Sequence, residues 1–98
     1  MFIWVVAENS SDDADVCVNA FSTEEKAKAF FNGLVKEIKS DDGAFFENGK
    51  LVDGYSLEEN DRWFFLEDTA SNNPYPFFLQ IEVNRVLLDA YAGGVADD

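Results

Sequence analysis

The stretch Phe21–Ser40, FSTEEKAKAFFNGLVKEIKS, decides the fold. Its apolar side chains recur at Ala27, Phe30, Phe31, Leu34 and Ile38. That is the i, i+3, i+4, i+7 spacing of one buried helix face. Ser22 precedes the run as an N-cap, with Glu25 three residues on, so Ser22-Thr23-Glu24-Glu25 reads as a capping box. Glu24 and Glu25 lie at the positive end of the helix dipole, and Lys36 and Lys39 at its negative end. Asp42-Gly43 supplies the stop. No other segment carries so many helix signals, and the apolar face of this one needs a sheet to cover it.

The flanking segments read as that sheet. Phe2 to Ala7, FIWVVA, is a continuous apolar run that suits a central strand buried on both faces. The polar loop Glu8 to Asp15 turns the chain back into a second, antiparallel strand, Val16 to Phe21, in which Cys17 is expected to be a small buried residue. Beyond the helix, Asn48-Gly49 stands between short apolar runs and signals a tight hairpin, because both positions tolerate positive φ. Tyr55 to Asp61 reads as an acidic connector with one helical turn after Ser56. Arg62 to Glu67 is strand-like, and the prolines and asparagines of Ala70 to Pro76 make a loop. Phe77 to Val83 alternates, with Phe77, Leu79, Ile81 and Val83 on one side and Phe78, Gln80 and Glu82 on the other. Asn84 to Tyr91 fits a short capped helix or a continued strand equally well, and the last few residues are expected to fray. The expected fold is a single α+β domain over residues 1–98. Its antiparallel sheet has four to six strands, the long helix packs on one face, and the other face carries Glu67, Gln80 and Glu82.

Ninety-eight residues with an apolar fraction of 47 % and ten Phe, three Tyr and two Trp are enough for one core without a disulfide or a structural metal. A compact chain of this length has a radius of gyration of about 13 Å. The formal net charge is −13. Four of the seven bases, Lys26, Lys28, Lys36 and Lys39, sit on the helix beside Glu24, Glu25 and Glu37, so the acidity belongs to strands and loops. With no basic patch, direct binding to nucleic acid is excluded. No apolar run approaches the roughly 20 residues of a membrane helix. The first residues carry no positive region of the kind that opens a signal peptide, and the one cysteine makes no intrachain disulfide, so a cytoplasmic protein is expected.

The groups that catalysis draws on are missing. There is no histidine to act as a base near neutral pH, and adjacent acids such as Asp12/Asp13 or Glu58/Glu59 point apart rather than across a cleft. Asp12, Asp13 and Asp15 resemble half of an oxygen-ligand loop, yet they lack the spacing and distal Glu of a calcium loop and read as a solvated acidic turn. The chain is expected to be no enzyme and to hold no cofactor or metal. What remains is the acidic surface. Its candidate partner-binding residues are Asp12, Asp13, Asp15, Asp41, Asp42, Glu58, Glu59, Asp61, Glu67 and Asp68, with Tyr55, Trp63 and Tyr75 as aromatic anchors. Carboxylates held on a rigid domain can stand in for the phosphates of a duplex and draw in a basic groove.

A strand opening, the Phe21-Ser22-Thr23-Glu24-Glu25-Lys26-Ala27 helix start and the strong acidity together resemble small phage-encoded counter-defence proteins, the anti-CRISPR and anti-restriction proteins. The matching segment is Met1 to Lys39. The resemblance implies a kind of partner and carries over no functional residue. The first expectation is a stoichiometric inhibitor of a nucleic-acid-binding defence complex, at work in the host cytoplasm if phage-encoded, and a monomer or weak homodimer is expected. An immunity protein or antitoxin neutralising a basic nuclease toxin shares the same surface physics. A housekeeping domain whose acidity serves only solubility is the third reading.

Overall fold

The structure, a computed structural model, describes residues 2–12, 16–41, 43–70, 72 and 74–87. It is an α+β fold with strands β1 (Phe2–Ser10), β2 (Cys17–Phe21), β3 (Phe46–Glu47), β4 (Lys50–Leu51), β5 (Tyr55–Glu59), β6 (Trp63–Asp68) and β7 (Phe78–Leu87), and one helix, α1 (Glu24–Ser40). Five strands form an antiparallel sheet in the order β2-β1-β7-β6-β5, and β3-β4 is a separate two-stranded hairpin. The sheet closes by pairing β1 along its whole length with β7, from Phe2↔Leu87 to Ser10↔Leu79.

The helix starts one residue later than the capping box predicts. Thr23 is the N-cap, with extended backbone, and its Oγ1 accepts from the Lys26 amide at 3.2 Å. Ser22 and Thr23 are both competent caps, and the shift puts Lys26 where a box needs a carboxylate, so the reciprocal bond to Glu25 does not form. At the other end the Asp41 amide donates to the Ile38 carbonyl, and Gly43 turns the chain away at φ +90°. Ala27 and Phe31 are buried on the sheet, with Phe30, Leu34, Val35 and Ile38 packed around them. Phe21, just ahead of the helix, meets Phe30 at 5.2 Å between ring centroids.

The helix side of the sheet supplies Val6 from β1, Phe64 and Leu66 from β6, and Ile81 and Val83 from β7; Phe46 of the β3-β4 hairpin completes the core. The predicted alternation of β7 holds, and Asn84 to Leu87 continue it as strand; residues 88–91 lie outside the described residues. At the predicted hairpin, Asn48 and Gly49 take φ of 52° and 78°.

Three expectations are corrected. β1 is interior to the sheet but is not buried on both faces: Val6 alone is fully buried, because one helix layer covers only one side. Cys17 is exposed, because β2 is an edge strand whose residues all stand in solvent except the half-buried Phe21. Tyr55 to Glu59 is strand rather than connector and helical turn, its Leu57 pairing with Leu66 of β6. The radius of gyration is 16.1 Å, above the value of about 13 Å for a compact globule, and the shortest principal extent is 17 Å. A sheet with a single covering layer makes a plate.

Candidate binding face

Unbroken strand registers and alternation define the side of the sheet that faces away from α1. On it stand Ile3, Val5, Ala7 and Asn9 of β1, Val18 and Ala20 of β2, Phe78, Gln80, Glu82, Asn84 and Val86 of β7, Trp63, Phe65 and Glu67 of β6, and Ser56 and Glu58 of β5. Among the described residues no element packs over this face. Its β1/β2 half is aliphatic, and Val18 there is 59 % exposed. Its β5/β6/β7 half is aromatic and acidic. Trp63 and Phe65 lie 6.0 Å apart, and Phe65 and Phe78 6.1 Å, so the three rings form one row. Each ring has a carboxylate directly across the ladder: Trp63↔Glu82, Glu58↔Phe65 and Glu67↔Phe78. Gln80, beside Phe65, donates to Glu82 at 3.5 Å.

None of the seven lysines and arginines projects from this face. Lys28 pairs with Asp61 at 3.0 Å and Glu24 at 3.7 Å, and Lys39 with Glu59 at 2.7 Å. The Arg62 guanidinium pairs with Glu24 and lies over the Trp4 ring at 5.5 Å, and Arg85 lies over Phe2 at 4.3 Å, both on the helix side. Lys26 and Lys36 are exposed on α1, and Lys50 belongs to the separate hairpin. On this face Glu58 is exposed and Glu67 and Glu82 are half-buried, with no ion pair among the described residues, whereas Glu24, Glu59 and Asp61 are held in ion pairs on the helix side.

The acids singled out from sequence divide accordingly. Glu58, Glu67 and Trp63 come together on the open face. Glu59 and Asp61 tie the β5-β6 hairpin to the helix. The hydrogen bond and charge of Lys28, helped by Arg62, hold the Asp61 carboxyl below its ordinary pKa. Asp68 is half-buried and accepts from the Ala70 amide at 3.0 Å. Tyr55 packs edge-on against Phe45 at 5.4 Å, which makes it a core residue rather than an anchor. Asp12 and Asp41 are exposed just past the C-terminal ends of β1 and α1, and the Asp12 amide donates to Ser10 Oγ at 3.1 Å. Tyr75 is 84 % exposed in the β6-β7 loop. Asp13, Asp15 and Asp42 lie outside the described residues.

Sequence reasoning does not single out Phe65, Phe78 and Glu82 as site residues. Their signal is parity: each stands out of phase with the buried positions of its own strand, which are Phe64 and Leu66 in β6 and Ile81 and Val83 in β7. Among the described residues no three metal-ligating side chains cluster, and no helix is long and apolar enough to cross a membrane. Compared with protein-family models, curated proteins and solved structures, the chain matched nothing.

Proposed function

We propose that this chain is a stoichiometric protein inhibitor of a nucleic-acid-binding defence complex, of the anti-CRISPR kind, and that it occludes a basic nucleic-acid site with an acidic surface. The observation that carries this reading is the one-sidedness of the charge. Glu58, Glu67 and Glu82 stand on a sheet face that no lysine or arginine reaches, whereas Glu59 and Asp61 are answered by Lys39 and Lys28. Carboxylates already paired within the fold have little left for a partner. Unpaired ones on a rigid sheet project their field outward, steer a cationic groove to the surface and offer its bases what phosphates would. The inhibitor makes and breaks no covalent bond. It competes for a site, and the acids of the turn around Asp12 add to the field.

The test is a titration of the chain against DNA binding by CRISPR effector complexes and restriction enzymes, read by gel mobility shift at several ionic strengths. Stoichiometric loss of DNA binding that weakens steeply with salt is expected. The E58Q/E67Q/E82Q variant should inhibit about tenfold less well, mainly through slower association. D12N/D13N/D15N should have the smaller effect. If no member of the panel is inhibited, or if the sheet-face variant inhibits as well as the parent, this reading is wrong.

A further inference from the structure

The open face carries more than negative charge, because its acids are interleaved with rings at fixed registry. We infer that the segment it binds is arginine-bearing, and that the face selects guanidinium over ammonium through three ring–carboxylate pairs, Trp63–Glu82, Phe65–Glu58 and Phe78–Glu67. This rests on the reading of the open face as the partner-binding surface.

Charge decides the class of occupant. A second copy of the chain would set three unpaired carboxylates against three more. The segment after Leu87 contains Asp89, Asp97 and Asp98 and no base. A single-stranded nucleic acid would find rings to stack on but no cation to hold its phosphates. A cationic polypeptide segment meets none of these objections, and geometry narrows it further. Directly opposed side chains on neighbouring strands have Cβ atoms about 5 Å apart. A planar guanidinium lying on one ring therefore presents its edge N–H groups to the carboxylate across the ladder, where it can be held by two hydrogen bonds. A lysine ammonium has no plane to stack, gives up a tighter hydration shell and meets the carboxylate as a point charge.

The chain itself holds one guanidinium between a ring and an acid, although there the acid comes from the helix and not from the neighbouring strand. On the helix side, Arg62 lies over the Trp4 ring at 5.5 Å while its guanidinium pairs with Glu24. The open face sets a ring beside an acid three times, here on neighbouring strands, and none of the chain's own lysines or arginines joins them.

The experiment titrates the intact chain with hexa-arginine and, separately, hexa-lysine at low salt, and follows the heteronuclear NMR spectrum. Trp63 on the open face and Trp4 on the helix side should give two indole resonances, the second serving as an internal control. Hexa-arginine should move the Trp63 indole and the β6 and β7 amides. It should bind more tightly than hexa-lysine by about two- to fivefold for each ring engaged. W63L, which keeps a half-buried position outside the core apolar, should keep the dispersed spectrum and reduce the preference for arginine; E82Q should weaken both peptides. Equal affinity for the two peptides, or shifts confined to the turns around Asp12 and Asp41, would overturn the guanidinium inference and leave the anionic-inhibitor reading standing. Failure of both peptides to bind would remove both.

Discussion

At the scale of single residues, the helix start separates two neighbouring hydroxyls. Thr23 Oγ1 accepts from an amide of the first turn and Ser22 does not. T23A should destabilise the fold by about 1 kcal/mol in urea denaturation, and S22A by no more than a few tenths. Asp61 makes a pH prediction. Its pKa is lowered in the folded state by Lys28, so its contribution is fully present above the ordinary carboxylate value of 3.8 and is lost as pH falls through the depressed one. D61N should therefore be slightly less stable than the parent at neutral pH, and the difference should vanish at strongly acidic pH. A difference that persists there would mean that the Asp61 side chain contributes by something other than its charge. The effect is small, because the carboxylate is exposed and solvent screens the pair.

At the scale of elements, the two faces of β6 make opposite predictions. Phe64 is fully buried, and F64A should cost about 3–5 kcal/mol in transfer and cavity terms. Phe65, one residue on, faces away from the core on the open side, so F65A should cost much less in stability while lowering affinity for the partner. Two glycines at positive φ separate in the same way. A Cβ at Gly49 meets nothing within 4 Å, so G49A pays only the backbone strain, about 1–2 kcal/mol. At Gly54 a Cβ comes 3.1 Å from the Ala70 Cβ, so G54A should lower the thermal midpoint further. The elements most readable in sequence were those with a complete local pattern: the period of α1, Asn48-Gly49, and the alternation of β7. β5 does not show in the sequence because Tyr55 to Glu59 offers a single half-buried aliphatic position, Leu57, and its pairing with Leu66 is a tertiary fact. The burial of β1 on one face only is not legible, because an unbroken apolar run reads the same whether one face or both are covered. The open face was half legible: Glu67, Gln80 and Glu82 follow from alternation, but their meeting with Phe65, Phe78 and Glu58 depends on the register among β5, β6 and β7.

At the scale of the whole molecule, the unequal distribution of charge should set stability and binding against each other. Glu58, Glu67 and Glu82 repel one another on a face without a base, whereas Glu59 and Asp61 attract the helix lysines. Neutralising the first group should relieve repulsion, so E58Q/E67Q/E82Q should melt at the same temperature as the parent or higher, even as its affinity for a basic partner falls. Neutralising Glu59 and Asp61 should lower the midpoint and leave affinity nearly unchanged. Added salt provides an independent check. At about 1 M the screening length shrinks to about 3 Å, shorter than the spacing of charges across a sheet face. Salt should therefore raise the parent's midpoint and raise that of E58Q/E67Q/E82Q less, because part of the repulsion it screens is already gone. If both proteins gain equally, the destabilising charge lies elsewhere in the chain and the open face is not its centre. If the triple variant is less stable than the parent at every salt concentration, the three carboxylates are serving the fold, and their availability to a partner would have to be reconsidered.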